Sequence, residues 1–168
     1  MAAWSRPDIA PTEPENPPTG SENPLGLLRS GPTVDPAAVQ PCAGGIVFDE
    51  QGRLLLIRRG HEPSAGTWSV PGGRCAPGES AAETCVRELA EETGLQVRVL
   101  RRAGRVQRDG PGGVGYEIVD FVCAVVGGTL RAGDDATDAR WVSRAELGAL
   151  PLSPGLEETL REWRLLPR

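Results

Sequence analysis

Three glutamates, Glu88, Glu91 and Glu92, occupy positions i, i+3 and i+4 in the run Arg87-Glu88-Leu89-Ala90-Glu91-Glu92. On a helix advancing about 100° per residue they share one arc of roughly 100°. Like charges at that spacing repel by a few tenths of a kcal/mol per pair, roughly. A hard divalent ion with oxygen ligands reverses the sign of that interaction. The spacing therefore points to a bound Mg²⁺, with Mn²⁺ as the alternative, held where it can shield a phosphate chain. Glu88 and Glu92, one turn apart, are the first ligands expected, and Glu91 is either a third ligand or the base that orients a nucleophile. Arg87 adjoins the arc four residues before Glu91, a position suited to orienting a glutamate or the loop. Glu79 precedes the helix, where a carboxylate favours the positive N-terminal end.

Those side chains need a helix, and its ends are written in the sequence. Ser80 followed by Glu83 reads as a capping box. Gly94 suits the left-handed conformation after the last turn, with Leu95 as the apolar contact beyond it. Ala82, Val86, Leu89 and Thr93 form the face expected to dock on a core. Before the helix, residues 44–48 and 53–59 read as strands joined in a hairpin by the turn at 49–52. In the second run Leu54, Leu56 and Arg58 point one way and Leu55, Ile57 and Arg59 the other. After it, residues 96–106 and 116–126 are strand-like, and the glycine-rich stretch 109–113 between them is the kind of loop that covers substrates. Residues 137–142 read as another strand, Ser143 with Glu146 as a second capping box, and Pro154-Gly155 as the lead-in to a helix over 156–163. This succession predicts an α/β protein with a mixed sheet between helices.

The stretch from Gly73 through Glu79 to Arg87-Glu88-Leu89-Ala90-Glu91-Glu92-Thr93-Gly94-Leu95 resembles the Nudix box at every position, and Trp68-Ser69-Val70-Pro71-Gly72-Gly73 resembles the approach to it. The resemblance runs from about residue 39 to the C-terminus. It implies an α/β/α sandwich and a hydrolase that cuts a pyrophosphate linkage in a nucleoside diphosphate derivative, of either the nucleoside triphosphate class or the ADP-ribose and nucleotide-sugar class. It also implies that the Gly72 carbonyl completes the metal site, that Arg59 meets a phosphate, and that an acid from a distal loop serves as base or ligand. Asp135 is the candidate for that acid, with Asp134, Asp120 and Glu117 as competitors. Gly72 and Gly73, lacking side chains, allow a ligand close to the backbone. Some relatives of this fold bind nucleotides or proteins without cutting them, and a non-catalytic sensor is the alternative reading.

Composition narrows the remaining possibilities. Residues 1–38 hold half of the sixteen prolines and have no helical or strand periodicity, so a disordered tail is expected there, with the domain over 39–168. The short apolar run Leu25-Gly26-Leu27-Leu28 and Trp4 belong to that tail. All eighteen basic residues are arginine. No lysine is present for a Schiff base or a Walker-type phosphate loop. The net charge of −5 divides into five acids against two arginines in residues 1–38 and eighteen against sixteen in the remainder, with no basic stripe for a nucleic-acid polymer. No apolar run approaches the roughly 20 residues that span a bilayer, and no signal pattern opens the chain, so a cytoplasmic protein is expected, a monomer or homodimer with a small nucleotide-type partner. Cys42, Cys75, Cys85 and Cys123 lack metal-ligand spacing, and Cys85 and Cys123 read as core. Phe48, Trp68, Tyr116 and Trp141 are available to stack on a base or to fill the core, Trp163 reads as core, and His61 as a loop residue.

Overall fold

The computed structural model describes residues 39–62, 64–109, 113–133 and 135–168. The expectations for residues 1–38 and Asp134, and most of the 109–113 loop, lie outside the described residues. Seven strands and three helices follow in the order β1 (Val39–Val47), β2 (Leu54–Arg59), β3 (Trp68–Ser69), β4 (Gly72–Arg74), α1 (Ala81–Thr93), β5 (Leu95–Asp109), β6 (Gly115–Gly128), β7 (Ala136–Val142), α2 (Arg144–Leu147) and α3 (Leu156–Glu162). The strands form a mixed sheet, β4-β1-β6-β5, in which only β1 and β6 run parallel, and a smaller antiparallel sheet, β3-β2-β7.

Two sheets stand where one was expected, and β2 supplies the reason. Leu54, Leu55, Leu56 and Ile57 are all buried, so both faces of this strand need cover. The alternation works as read from sequence. Leu55 joins Ala43, Val47, Cys85 and Leu89 in the core beneath α1, while Leu54 and Leu56 join Ile46, Trp68, Val142, Leu147 and Leu160 in the core beneath α2 and α3. This is the α/β/α sandwich. The expected hairpin shrinks to a turn: Asp49 accepts the Gly52 N–H and Gly52 has φ +76°, but β1 and β2 meet only at the Phe48–Leu54 bridge before entering different sheets.

Helix α1 begins and ends as its sequence dictates. Ser80 and Glu83 exchange both hydrogen bonds of the capping box, and Gly94 closes the helix at φ +69°. Its docking face is rotated from the one expected, since Val86 is exposed while Thr84, Cys85, Leu89 and Thr93 are buried. Gly45 decides this. A Cβ there would meet Leu89 Cδ1 at 2.5 Å, so the missing side chain is the slot that Leu89 and Cys85 fill. The rotation carries Glu92 into the protein. At the far end of the helix the segment 129–133 packs on the last turn, with Gly133 N–H on the Glu92 carbonyl and Arg131 N–H on that of Thr93, and this contact delivers Asp135.

Candidate metal and phosphate site

The site is built where α1 faces the β4 edge of the mixed sheet. β4 pairs with β1 through Gly72–Gly44, Gly73–Ala43 and Arg74–Cys42. A Cβ on Gly73 would strike the Glu88 carboxylate, so glycine is what lets the helix acids lie against this strand. From the other end of the same turn, Glu92 Oε2 accepts the Gly72 N–H at 2.8 Å. Both predicted glycines therefore touch the site through their backbone.

Arg87 organises the outer acids. Its Nε and Nη2 reach the two Glu79 oxygens at 2.8 and 2.9 Å, and its Nη1 reaches Glu88 Oε1 at 2.8 Å and Glu91 Oε2 at 2.9 Å. Nη2 also donates to the Arg74 carbonyl at 3.1 Å, tying the helix to the end of β4. The guanidinium holds Glu79 down to about 2, helped by the Ala76 N–H, and is itself pushed up in return, Glu79 first among the causes. Arg87 thus orients Glu79, Glu88 and Glu91 together, as its adjacency suggested for a positioning residue.

Glu92 is in the opposite condition. Only 9% of it is exposed, and burial lifts its carboxyl to about 7, with Glu88 and Asp135 adding to the rise while the Gly72 N–H and Arg59 oppose it. Arg59, Asp135 and Glu88 thus all lie within electrostatic reach of Glu92. Asp135 is exposed at the rim, with His61 Nε2 3.4 Å from its Oδ1 and Gly60 N–H on its carbonyl. The loop histidine accordingly neighbours the candidate base, a contact with no signature in the sequence.

The three box glutamates do not converge on one point as they stand. Glu88 and Glu91 turn to Arg87 and Glu92 turns to Gly72, and among the described residues no group of three or more His, Cys, Asp or Glu side chains encloses a cation-sized space. The donor set nevertheless suits a hard dication. Glu88 and Glu92 offer carboxylate oxygens from successive turns beside a backbone cradle that a Cβ would fill, and burial raises the Glu92 pKa despite the Gly72 N–H and Arg59, so a cation there would favour its ionised form.

The other sequence candidates fall outside this cluster. Glu117 pairs with Arg105 at 3.1 Å. Asp120 lies inside β6, 6% exposed, at the register position opposite Gly44. Burial lifts its carboxyl to about 6, and its Oδ1 has no hydrogen-bond partner. An acid inside the otherwise apolar run 118–126 was the available signal. Phe48, Trp68 and Trp141 pack in the cores, Trp68 beneath the Arg140 guanidinium at 4.4 Å, and Tyr116 lies beneath Arg74 at 5.7 Å. Cys85 and Cys123 are core neighbours, 3.6 Å between sulfurs. No helix among the described residues is long and apolar enough to cross a membrane.

Comparison with known proteins bears on the same residues. The model of the NUDIX domain matches residues 38–163. An "ADP-ribose pyrophosphatase" of Methanocaldococcus jannaschii is 40% identical over 98 residues, 56% of this chain and 57% of that protein. An "8-oxo-dGDP phosphatase" of Homo sapiens is 31% identical over 106 residues, 61% of this chain and 32% of that protein. The alignments span less than two thirds of either relative's length. Among solved structures, a MutT NUDIX hydrolase from Burkholderia pseudomallei superposes with a TM-score of 0.66 at 25% identity, covering 73% of this chain and 96% of that one.

Proposed function

The chain belongs to the NUDIX domain family, and on that premise we propose that it hydrolyses a phosphoanhydride bond in a nucleoside diphosphate derivative with the help of Mg²⁺ or Mn²⁺. The substrate is a nucleoside triphosphate or a compound of the ADP-ribose and nucleotide-sugar class. The observation that carries the reading is the placement of Glu88 and Glu92 on successive turns against the side-chain-free backbone of Gly72 and Gly73. Glu88, Glu92 and the Gly72 carbonyl would hold the metal, with Glu91 as a further ligand directly or through water. Bound there, the dication would neutralise and orient phosphate oxygens.

The chain's own residues supply positioning and proton transfer. Arg87 fixes the rotamers of Glu88 and Glu91 through its hydrogen bonds, as a positioning residue. Arg59 faces the substrate's phosphates from the end of β2, beside Glu92. Water attacks phosphorus, the bridging P–O bond breaks, and the bridging oxygen leaves with the departing phosphate. The water's proton goes to Glu91 or to Asp135, the two exposed acids at the rim. Comparing the acid limbs of the pH–rate profiles of Glu91→Gln and Asp135→Asn identifies which one.

The test is a panel of nucleoside triphosphates, ADP-ribose and nucleotide sugars incubated with Mg²⁺ or Mn²⁺, read by the fragments formed. Cleavage at one phosphoanhydride position is the expected result. Binding without turnover of any member would replace this reading with that of a nucleotide sensor. Within this proposal residues 39–168 are the working domain and residues 1–38 are dispensable to it.

A further inference from the structure

Two rungs of the mixed sheet share the face that carries the α1 acids. Gly73, Ala43 and Val119 stand in register across β4, β1 and β6. Pro41 and Glu117 stand in register two residues further along, with the Cys75 N–H on the Pro41 carbonyl at 2.9 Å. Residues in register, and those two apart on one strand, share a face. This face looks toward α1, because a Cβ on Gly73 would strike the Glu88 carboxylate and Ala43 packs with Leu89. Over the second rung, Ala81 at the start of the helix and the 75–79 segment border a cavity of about 520 Å³, lined also by Pro41, Glu117 and Val119. That volume is within the range of small-molecule sites. Two residues along a strand span about 7 Å, so the cavity opens about that far from the point where Gly73 meets Glu88.

The lining decides what fits. Pro41, Cys75, Ala81 and Val119 give it apolar walls, its two charged residues are Glu79 and Glu117, and none of its lining residues is basic. Glu79 is fully engaged: Oε1 accepts from Arg87, and Oε2 accepts from Arg87, the Ala76 N–H and Thr84 Oγ1. Glu117 accepts from Arg105 on Oε2 at 3.1 Å, which fixes the side chain and leaves Oε1 as an acceptor. A phosphate entering the cavity would face two carboxylates whose guanidinium partners are already committed to them, and like charges repel. A sugar carries no charge. Its hydroxyls can donate to Glu117 while its C–H faces pack on Pro41 and Val119.

We propose that this cavity is the subsite for a sugar attached to the distal phosphate, read by Glu117 Oε1, so that the protein takes nucleoside diphosphate sugars, ADP-ribose among them, in preference to nucleoside triphosphates. The inference rests on the phosphoanhydride reading given above and chooses between its two substrate classes. With the diphosphate at Gly73 and Glu88, the group one rung further on lies in the cavity. A neutral sugar is accepted there, and a terminal phosphate is turned away by the same acids that receive the hydroxyls.

The experiment compares kcat/KM for ADP-ribose against ATP, and for UDP-glucose against UTP, with Mg²⁺ or Mn²⁺ present. Wild type should favour the sugar member of at least one pair about tenfold or more. Glu117→Ala, which removes the acceptor, and Ala81→Leu, which fills the cavity, should each shrink that ratio about tenfold through KM for the sugar member. Circular dichroism checks that both variants are folded, and Glu117→Ala alone decides if Ala81→Leu is not. Ligand-induced shifts in Tm with ADP-ribose against ADP report the sugar contact without turnover. A sugar-dependent shift that disappears in Glu117→Ala would sustain the inference even if nothing were hydrolysed, in which case the hydrolase reading alone would fall. No sugar preference in wild type by either readout, or a preference that Glu117→Ala leaves intact, would overturn it.

Discussion

The acids on the two sides of the β4–β1 edge live under opposite conditions. On the α1 rim, Glu79, Glu88 and Glu91 all accept from one guanidinium, and Glu79 also accepts the Ala76 N–H. Inside, Glu92 has the single Gly72 N–H and Asp120 Oδ1 has no donor, and both carboxyls sit well above the usual range. The rim is satisfied by the protein itself. The buried pair is held in the charged form only at a cost, because burial penalises the ionised carboxyl. Pocket size gives a different indication. A cavity of about 520 Å³ lies by the start of α1, lined by Cys42, Cys75, Pro77 and Glu79 among others, and it holds neither buried acid.

The comparison breaks most severely at Glu92. Glu92→Gln keeps an oxygen for the Gly72 N–H but offers a poor ligand to a hard dication, so kcat should fall by roughly 100-fold or more while the fold persists. Near-normal turnover in that variant would remove Glu92 from the site. Metal-free Glu92→Gln should also melt higher than wild type at pH 8, because it removes a buried anion.

Arg87→Ala attacks the satisfied side. It leaves three acids facing one another, so kcat should drop roughly 10- to 100-fold and Tm by roughly 2–5 °C. If metal binding re-pairs the same acids, added Mg²⁺ should recover most of the Tm loss and less of kcat. An unchanged kcat would show that orientation of Glu88 and Glu91 is not set by Arg87.

Titration of the metal-free protein sharpens the contrast through its sign. Glu92 and Asp120 have raised pKa values in the folded state, so they weaken folding progressively as pH rises from about 4 to about 7, by as much as roughly 3 kcal/mol each. Glu79 is depressed to about 2, so its contribution is present above the ordinary carboxylate range and is lost as pH falls through about 2. Denaturant unfolding should therefore show greatest stability near pH 4–5. The doubly substituted Glu92→Gln, Asp120→Asn protein should lose the decline toward neutrality and keep the acid limb. A flat profile in wild type would contradict both buried acids at once.

The smallest effect is expected from the proline-rich segment. Removing residues 1–36 should leave kcat within about twofold and Tm within about 1 °C, given a segment whose composition buries little. A large fall in Tm would assign the segment a place in the domain.

Local chemistry made much of this protein legible from the sequence. The ends of α1 and α2 follow from Ser80 with Glu83 and Ser143 with Glu146, because a cap is satisfied within a few residues of itself. The two-sided burial of β2 follows from its alternation, and the acid cluster from glutamates one turn apart. Tertiary contacts decided the rest. Gly45 turned α1 so that Val86 faces water and Glu92 faces inward, the two sheets divided what looked like one hairpin, and the 129–133 segment brought Asp135 and His61 together. Only register across three strands aligned Asp120 with Gly72. Hydrogen bonds between neighbours leave their pattern in sequence spacing, whereas the angle at which a helix docks and the pairing of distant strands depend on side chains dozens of residues away.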